Sequence, residues 1–211
     1  MLGCRPDVGS DAMTAGRPRD FDETHALDAA MRAFWDRGYH ATSIGELVDA
    51  TGVHRNSLYA TFGDKKTLFL RALDAYIDGA LQRFEEKLAP PRPALEALKE
   101  ALVHYARIVA TPAGPRGCFV TNTTIELLPQ DKDVAGRIRN GFKGMVTLLE
   151  TTIRRGQQNG DIAADLDPRD TALYLYTYGQ GLRVVGRVWS MADLGPTVDL
   201  ALRGVVSNDK P

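Results

Sequence analysis

Four consecutive polar residues, His54, Arg55, Asn56 and Ser57, carry the side chains of this 211-residue chain that are best suited to recognising bases. An arginine guanidinium can form two hydrogen bonds with a guanine edge, and an asparagine amide can form two with an adenine edge. Each good pair contributes about 1–3 kcal/mol of discrimination. The neighbouring imidazole and hydroxyl can contact base edges or adjacent phosphates. These residues are therefore candidates for reading a DNA sequence.

The sequence around these residues predicts two short helices that would present them. Ser43 and Glu46 have the spacing of a capping box, in which each side chain bonds a free backbone N–H and so sets the start of the first helix. Gly52 permits a tight turn between the helices. Apolar residues then recur on one face of the second helix, which leaves its polar face free.

The same segment resembles the helix-turn-helix of the TetR family of bacterial transcriptional repressors. The resemblance rests on Gly-Tyr-x-x-Thr-Ser at 38–43 and on Gly-Val-x-x-x-Ser-Leu-Tyr-x-x-Phe-x-x-Lys at 52–65. The resemblance is close in sequence over residues 16–71. In the rest of the chain it extends only to the arrangement of helices. The chain departs from the family at His54, where Ser or Asn is usual, and at Asn56, where its subgroup often has Pro. The base preference of relatives therefore does not carry over.

The resemblance implies that the second helix of the motif enters the major groove while flanking groups bind phosphates. Hydroxyl and ammonium groups stand at the positions where the family contacts the DNA backbone. Two arginines before the first helix resemble an arm that enters the minor groove. The predicted DNA-binding residues are Arg17 and Arg19 in the arm, Thr42, Ser43, Tyr59 and Lys65 on the backbone, and His54, Arg55, Asn56 and Ser57 at the bases. Alternatively, Ser57 only caps its helix, Tyr59 packs, and Arg17 is a solvated tail residue.

The spacing of apolar residues, three and four apart almost throughout, predicts an all-α fold. We expect a disordered leader at 1–15, a three-helix DNA-binding domain with the helix-turn-helix at 16–66, and a larger helical effector-binding and dimerisation domain at 67–211.

Within the larger domain, the pattern predicts a last long helix at 168–190, which begins with Asp-Pro as cap and first helical residue. A shorter amphipathic helix at 199–206 is expected to close the chain. The TetR family uses its last two long helices as a homodimer interface. Of the residues there, Tyr174, Tyr176, Tyr178 and Trp189 suit a pocket wall, a dimer surface or the core, and Gly179, Gly181 and Gly186 would allow close helix approach.

By the same resemblance, the larger domain holds a small-molecule effector in a mostly apolar pocket with a few polar groups. The candidate pocket residues are His104, Tyr105, Cys118, Phe119, Asn122 and Tyr178. The alternative is that the histidine lies at the surface or is satisfied in the core, that the cysteine is a small buried apolar residue, and that the asparagine is a local cap.

The charge balance limits how DNA could be bound. The chain has 26 Lys and Arg against 27 Asp and Glu, so the global basic signal of many nucleic-acid-binding proteins is missing. Residues 13–71 contain eight basic and eight acidic side chains. Affinity must therefore come from a few well-placed groups and from dimerisation.

Other function classes receive little support. The four histidines have no metal-ligand spacing, and neither a Gly-x-Ser-x-Gly elbow nor a phosphate-binding loop occurs. We therefore expect no enzyme, no cofactor and no metal. Two cysteines without a disulfide framework, and the lack of an apolar run near the ~20 residues that span a bilayer, predict a cytoplasmic protein.

The sequence thus predicts a TetR-like regulator, a homodimeric repressor that a small-molecule effector releases from a palindromic operator. Two alternatives stay open. One is a thiol-based redox sensor that uses Cys118, and the other is a helical interaction module that does not bind DNA.

Overall fold

The computed structural model describes residues 21–109 and 116–206, so the predicted arm residues Arg17 and Arg19 lie outside the described residues. Within these ranges the chain is all-α, which confirms the predicted fold class. The helices are α1 (Glu23–Arg37), α2 (Ile44–Thr51), α3 (Arg55–Phe62), α4 (Lys65–Leu88), α5 (Ala94–Val109), α6 (Phe119–Leu127), α7 (Lys132–Gln158), α8 (Pro168–Val185) and α9 (Met191–Arg203). None of these helices has the length and apolar character that a membrane crossing requires.

The first three helices form as the local sequence predicts. Asp22 caps α1 by accepting hydrogen bonds from two backbone N–H groups of its first turn. Both halves of the capping box between Ser43 and Glu46 are present at the start of α2. Gly52 ends that helix with φ +67°, a left-handed conformation that favours glycine. The turn between α2 and α3 is therefore determined by residues close to it in sequence.

Two hydrophobic cores meet along α4. The first core lies among α1, α2, α3 and the start of α4, and it also takes in α6 and the start of α7. The second lies among the end of α4, α5, α7, α8 and α9. Buried Phe69 of α4 and buried Phe119 of α6 make an edge contact with a ring-centroid distance of 5.8 Å. The proposed boundary after residue 66 therefore falls within α4 and does not separate the two cores.

The end of the chain differs from the sequence prediction. Helix α8 ends at Val185 and not at residue 190, and α9 begins at Met191, eight residues before the predicted start at 199. Ser190 and Asp193 form a capping box there. Helix α9 continues through Pro196 because its apolar face, which includes Val198, is buried in the second core. Tertiary burial thus offsets the loss of the backbone hydrogen bond that this proline cannot donate.

Candidate DNA interface and effector cavity

The recognition residues lie at the start of α3 and face outward. His54, Arg55 and Asn56 are exposed, and Ser57 is partly exposed. The opposite face of α3 buries Leu58 and Phe62 in the first core. His54 stands at the cap position of α3 without a side-chain hydrogen bond to the helix, so its imidazole is available to a ligand.

Arg55, at the start of α3, and Lys65, shortly after its end, have no carboxylate partner within the described residues. The guanidinium of Arg55 lies 5.5 Å from the centre of the half-buried Tyr59 ring. The ammonium of Lys65 lies 4.6 Å from the centre of the Tyr39 ring. Aromatic rings hold such cations without neutralising their charge. Both cations therefore keep their positive charge although the N-terminal region is neutral by count.

Most carboxylates around these helices are engaged elsewhere. Asp28 pairs with Arg32 of the same helix at 2.8 Å, and Asp36 pairs with Arg116. Hydrogen bonds from Ser43, together with the charges of Arg37 and Lys65, lower the pKa of Glu46. These three carboxylates thus neutralise cations away from α3 or cap a helix, so they leave the charges of Arg55 and Lys65 uncompensated.

Thr42 does not fit its predicted role. Its side chain is fully buried, and its hydroxyl donates a hydrogen bond of 2.6 Å to the carbonyl of Gly38. The hydroxyl therefore stabilises the turn before α2 and is not available to a phosphate. Ser43 is exposed, but its hydroxyl accepts the capping hydrogen bond from Glu46.

Glu126, near the end of α6, is a residue that the sequence analysis missed. Its carboxylate accepts hydrogen bonds from the backbone N–H groups of Tyr39 (3.0 Å) and His40 (2.8 Å), in the turn between α1 and α2. Gly38 has φ +86°, and a Cβ there would lie 2.7 Å from the carboxylate. A second contact joins Lys66 of α4 to Asp131, which caps α7. Through these contacts the larger domain holds the helix-turn-helix at two points.

Replacing Glu126 with alanine should loosen this turn. We expect the free energy of unfolding to fall by about 1–2 kcal/mol, because two hydrogen bonds to a charged acceptor are lost while water reaches part of the site. Hydrogen exchange at the amides of Tyr39 and His40 should become faster. The control is Ile125→Ala, at a neighbouring residue of α6 that is 78% exposed. Unchanged exchange at both amides in Glu126→Ala would contradict the contact.

An inner cavity lies between α4, α5, α6, α7 and α8, and has a volume of about 30 Å³. Its walls include two of the predicted pocket residues, Tyr105 and Cys118, and three further polar residues that the prediction missed, Tyr76, Gln180 and Arg183. This volume holds a water molecule but not an organic effector of ordinary size.

Four of the predicted pocket residues do not line this cavity, and three of them, Phe119, Asn122 and Tyr178, make other contacts. Phe119 is buried in the aromatic cluster of the first core. Asn122 donates a hydrogen bond of 2.7 Å to the carbonyl of Arg116. The hydroxyl of Tyr178 lies 2.6 Å from that of Thr197 on α9. In each case helix packing, which local spacing does not reveal, directs the side chain away from the cavity.

Cys118 is a buried free thiol in the wall of the inner cavity. Burial alone would raise the pKa of its thiol, but the Arg183 guanidinium and hydrogen bonds from Thr121 and Tyr76 outweigh burial, so the pKa is lowered. The hydroxyl of Tyr76 lies 3.8 Å from the sulfur. Burial also raises the pKa of Tyr105 to about 12, which keeps that phenol protonated. The Arg183 guanidinium therefore lies beside a thiol whose pKa is below its usual value.

An outer cleft opens beside the inner cavity and has a volume of about 400 Å³. Arg183, Tyr76 and Tyr105 line both spaces. The other walls of the outer cleft come from α1, α4, α5, α7 and the segment before α6: Asp28, Met31, Arg32, Trp35, Ala80, Arg83, Phe84, Lys87, His104, Arg116 and Met145. Predicted His104 thus belongs to the cleft and not to the inner cavity.

His104 is neutral at physiological pH in this setting. Burial, followed by the charges of Lys87, Arg183 and Arg83, lowers its pKa from 6.5 to about 4. Because the unfolded chain binds this proton more readily than the folded chain, the histidine contributes stability above pH 6.5 that is lost as the pH falls towards 4.

Replacing His104 with glutamine should flatten this pH dependence. With solvent screening of the half-buried ring taken into account, we expect the wild type to lose about 1–2 kcal/mol more than the variant between pH 6.5 and pH 4. Urea unfolding at a series of pH values measures this difference. Parallel curves for the two proteins would exclude the assignment.

A third concave surface, of about 650 Å³, lies along α6, α7 and α8 and includes Leu173. That leucine also belongs to the exposed apolar residues of the last two helices and the turn between them: Leu173, Tyr174, Val184, Val185, Val188, Trp189 and Leu200. No group of histidine, cysteine and carboxylate side chains in the described parts of the chain could hold a metal ion.

Family models match most of the described chain. Residues 26–72 match the model described as bacterial regulatory proteins, tetR family, and residues 94–190 match the model described as tetracyclin repressor-like, C-terminal domain. The first model includes α2 and α3, and the second begins at α5.

Individual relatives agree with these models. The HTH-type transcriptional repressor ComR of Escherichia coli (strain K12) is 34% identical over 173 residues, 82% of each chain. The repressor BdcR of the same organism is 33% identical and covers 71% of this chain and 75% of its own. Among solved structures, a cysteine mutant of the TetR family regulator CifR complexed with 26-bp double-strand operator DNA is 32% identical. It superposes with a TM-score of 0.80 over 90% of this chain and 100% of CifR.

Proposed function

This chain belongs to the TetR family of DNA-binding bacterial transcriptional regulators, and we propose that it is a homodimeric repressor that a small-molecule effector releases from a palindromic operator. The observation that carries the proposal is the start of α3, where His54, Arg55 and Asn56 are exposed on a helix whose other face is buried. Two such helices, one in each protomer, would enter successive major grooves about one helical turn apart.

We propose fewer DNA-binding residues than the sequence predicted. Arg55 and Asn56 are proposed to contact base edges, with His54 and Ser57 beside them. Lys65, Tyr59 and Ser43 are proposed to contact the DNA backbone. The hydroxyl of Thr42 is buried, which supports only a structural role for this residue. Arg17 and Arg19 remain proposed as the minor-groove arm.

Dimerisation is proposed to use the outer faces of α8 and α9. Exposed Leu173, Thr177, Gly181 and Val184 follow one another at helical spacing along α8. A Cβ at Gly181 would meet nothing within 4 Å, whereas one at Gly179 would lie 2.8 Å from the Tyr105 ring. Gly181 therefore offers room to a second chain, and Gly179 serves the packing of α5 on α8. Apolar faces of this kind are typical of dimer interfaces.

Release of DNA is proposed to pass through α6. This helix begins beside the inner cavity at Cys118 and ends near Glu126, which binds the turn before α2. An effector that shifts α6 would change the relative position of the two recognition helices. It can do so only to the extent that it binds the released state more tightly than the DNA-bound state.

A gel-shift assay tests the repressor proposal. Purified protein should retard a fragment from upstream of its own gene in the absence of effector, and the affinity should fall steeply with added salt because phosphate contacts release counterions. An internal fragment of the same length is the control. If neither fragment shifts at low salt, or both shift equally, the proposal of a specific repressor is wrong.

A thiol sensor is the second candidate, and the contact between Cys118 and Arg183 favours it. The lowered pKa of the thiol would support attack by the thiolate on a small electrophile or oxidant, and the inner cavity would admit only a reagent of a few atoms.

Hydrogen peroxide, added to the complex of protein and DNA, tests this candidate. Release from wild type but not from Cys118→Ser would support a thiol sensor. An equal response of both proteins would eliminate it.

A further inference from the structure

We infer that the outer cleft binds an organic anion with an apolar or aromatic body. The inference rests on the proposed function only in calling this anion an effector, since binding itself can be measured without DNA. The cleft has a volume of about 400 Å³, which is within the range of small-molecule sites. It is therefore large enough for the organic molecule that the inner cavity excludes.

The charge of the cleft is unbalanced. Arg83, Lys87 and Arg183 line it, and none of the three has a carboxylate within ion-pair distance among the residues that the structure describes. Asp28, the one carboxylate in the wall, is already paired with Arg32. Cations held near one another without counter-charges repel, and an anion between them removes that repulsion. The wall thus selects negative charge.

Unused hydrogen-bond donors point to a ligand with acceptor oxygens. The indole N–H of Trp35 and the Nε–H of Arg183 are buried and have no hydrogen-bond partner in the described parts of the chain. Buried donors are rarely left unpaired, because each costs about 1–3 kcal/mol. Both residues line the cleft. A carboxylate or sulfonate could accept from such donors while it neutralises the guanidinium.

Aromatic walls suit the rest of the ligand. Trp35 and Tyr76 make an edge contact with ring centroids 5.1 Å apart, and Phe84 and Tyr105 lie 5.4 Å apart. All four line the cleft. The neutral state of His104, which follows from its lowered pKa, adds no further positive charge beside them. The walls of the cleft therefore combine cationic side chains with aromatic ones.

The position of the cleft links it to DNA binding. Trp35 and Arg32 belong to α1, which packs against the helix-turn-helix, whereas Arg183 belongs to α8. A ligand between them would contact the DNA-binding end and the larger domain at once. Its binding energy would therefore depend on their relative position, as an effector requires.

Two matched probes test the inference. The anion 8-anilinonaphthalene-1-sulfonate becomes fluorescent in apolar sites, and N-phenyl-1-naphthylamine has the same rings without the sulfonate. A Trp189→Phe background leaves Trp35 as the one tryptophan, since the chain has two. We expect one sulfonate probe per chain, with energy transfer from Trp35, and at least tenfold weaker binding of the neutral probe.

Charge substitutions locate the site. Arg183→Gln should weaken binding of the sulfonate probe at least tenfold. If Arg183→Gln does not fold, the double variant Arg83→Gln/Lys87→Gln should weaken binding of the sulfonate probe severalfold. The matched control, Arg139→Gln/Lys143→Gln, removes two cations from the groove along α6, α7 and α8 and should leave binding unchanged.

Equal affinity for the two probes, or weaker binding only in the Arg139→Gln/Lys143→Gln control, would overturn the inference. A protein that binds the anion at this cleft but ignores operator DNA would retain the inference and lose the proposed function. A protein that represses through operator DNA but does not bind the anion at this cleft would retain the proposed function and overturn the inference.

Discussion

Replacing both Arg55 and Asn56 with alanine should lower operator affinity by about three orders of magnitude. Each bidentate contact to a base contributes at least about 1 kcal/mol, and a dimer would make two in each protomer. The free energy of unfolding should change little, because both side chains are exposed at the start of α3. Titration of a fluorescent operator at constant salt measures the loss, and thermal unfolding verifies the fold.

Two controls separate base reading from simple loss of charge. Arg154→Ala removes an exposed cation from α7, where it pairs with Glu150, and should leave operator affinity unchanged. Lys65→Gln should weaken specific and nonspecific DNA alike and reduce the salt dependence, as expected for a phosphate contact. If the Arg55→Ala/Asn56→Ala protein still discriminates operator from random DNA as the wild type does, α3 is not the recognition helix.

Replacing Val184 with glutamate should convert the dimer into a folded monomer. Val184 is 54% exposed in the single chain, so the charge is harmless to the protomer. In the proposed interface it would be buried without a partner in both chains, which costs about 3–5 kcal/mol for each charge. Operator affinity should then fall by at least a hundredfold, because the second recognition helix is no longer held beside the first.

Sedimentation velocity measures the mass of this variant, and circular dichroism verifies its helix content. The matched control is Ile125→Glu, which places the same charge at an exposed residue of α6 and should remain dimeric. A Val184→Glu protein that sediments as a dimer would move the interface away from this face of α8.

Local features of the fold were predictable because they depend on residues within a few positions of one another. The capping box of Ser43 and Glu46 and the left-handed Gly52 both appear as expected. The end of α8 was not predictable in the same way. Apolar residues continue past Val185, and the predicted start of the last helix at 199 lies beyond Pro196, which the structure includes within α9.

The proposed functional sites also differ in how far the sequence could predict them. The proposed recognition residues are consecutive in the chain, so a short motif was enough to suggest them, although the burial of Thr42 became clear only in the folded structure. The proposed effector region is assembled from distant segments. Phe119 and Tyr178 were predicted to line a pocket by resemblance to the family, but helix packing places both in other contacts.

The sequence by itself therefore determined the family, the all-α class and the helix that presents His54 to Ser57, because helix periodicity, caps and tight turns are short-range properties. Only the tertiary structure decided how Glu126 of α6 binds the turn before α2. It alone also placed Trp35, Lys87 and Arg183 around one cleft. Side chains from such distant parts of the chain come close together only when the helices pack. The spacing of residues in the sequence does not predict which of them will line the same cleft.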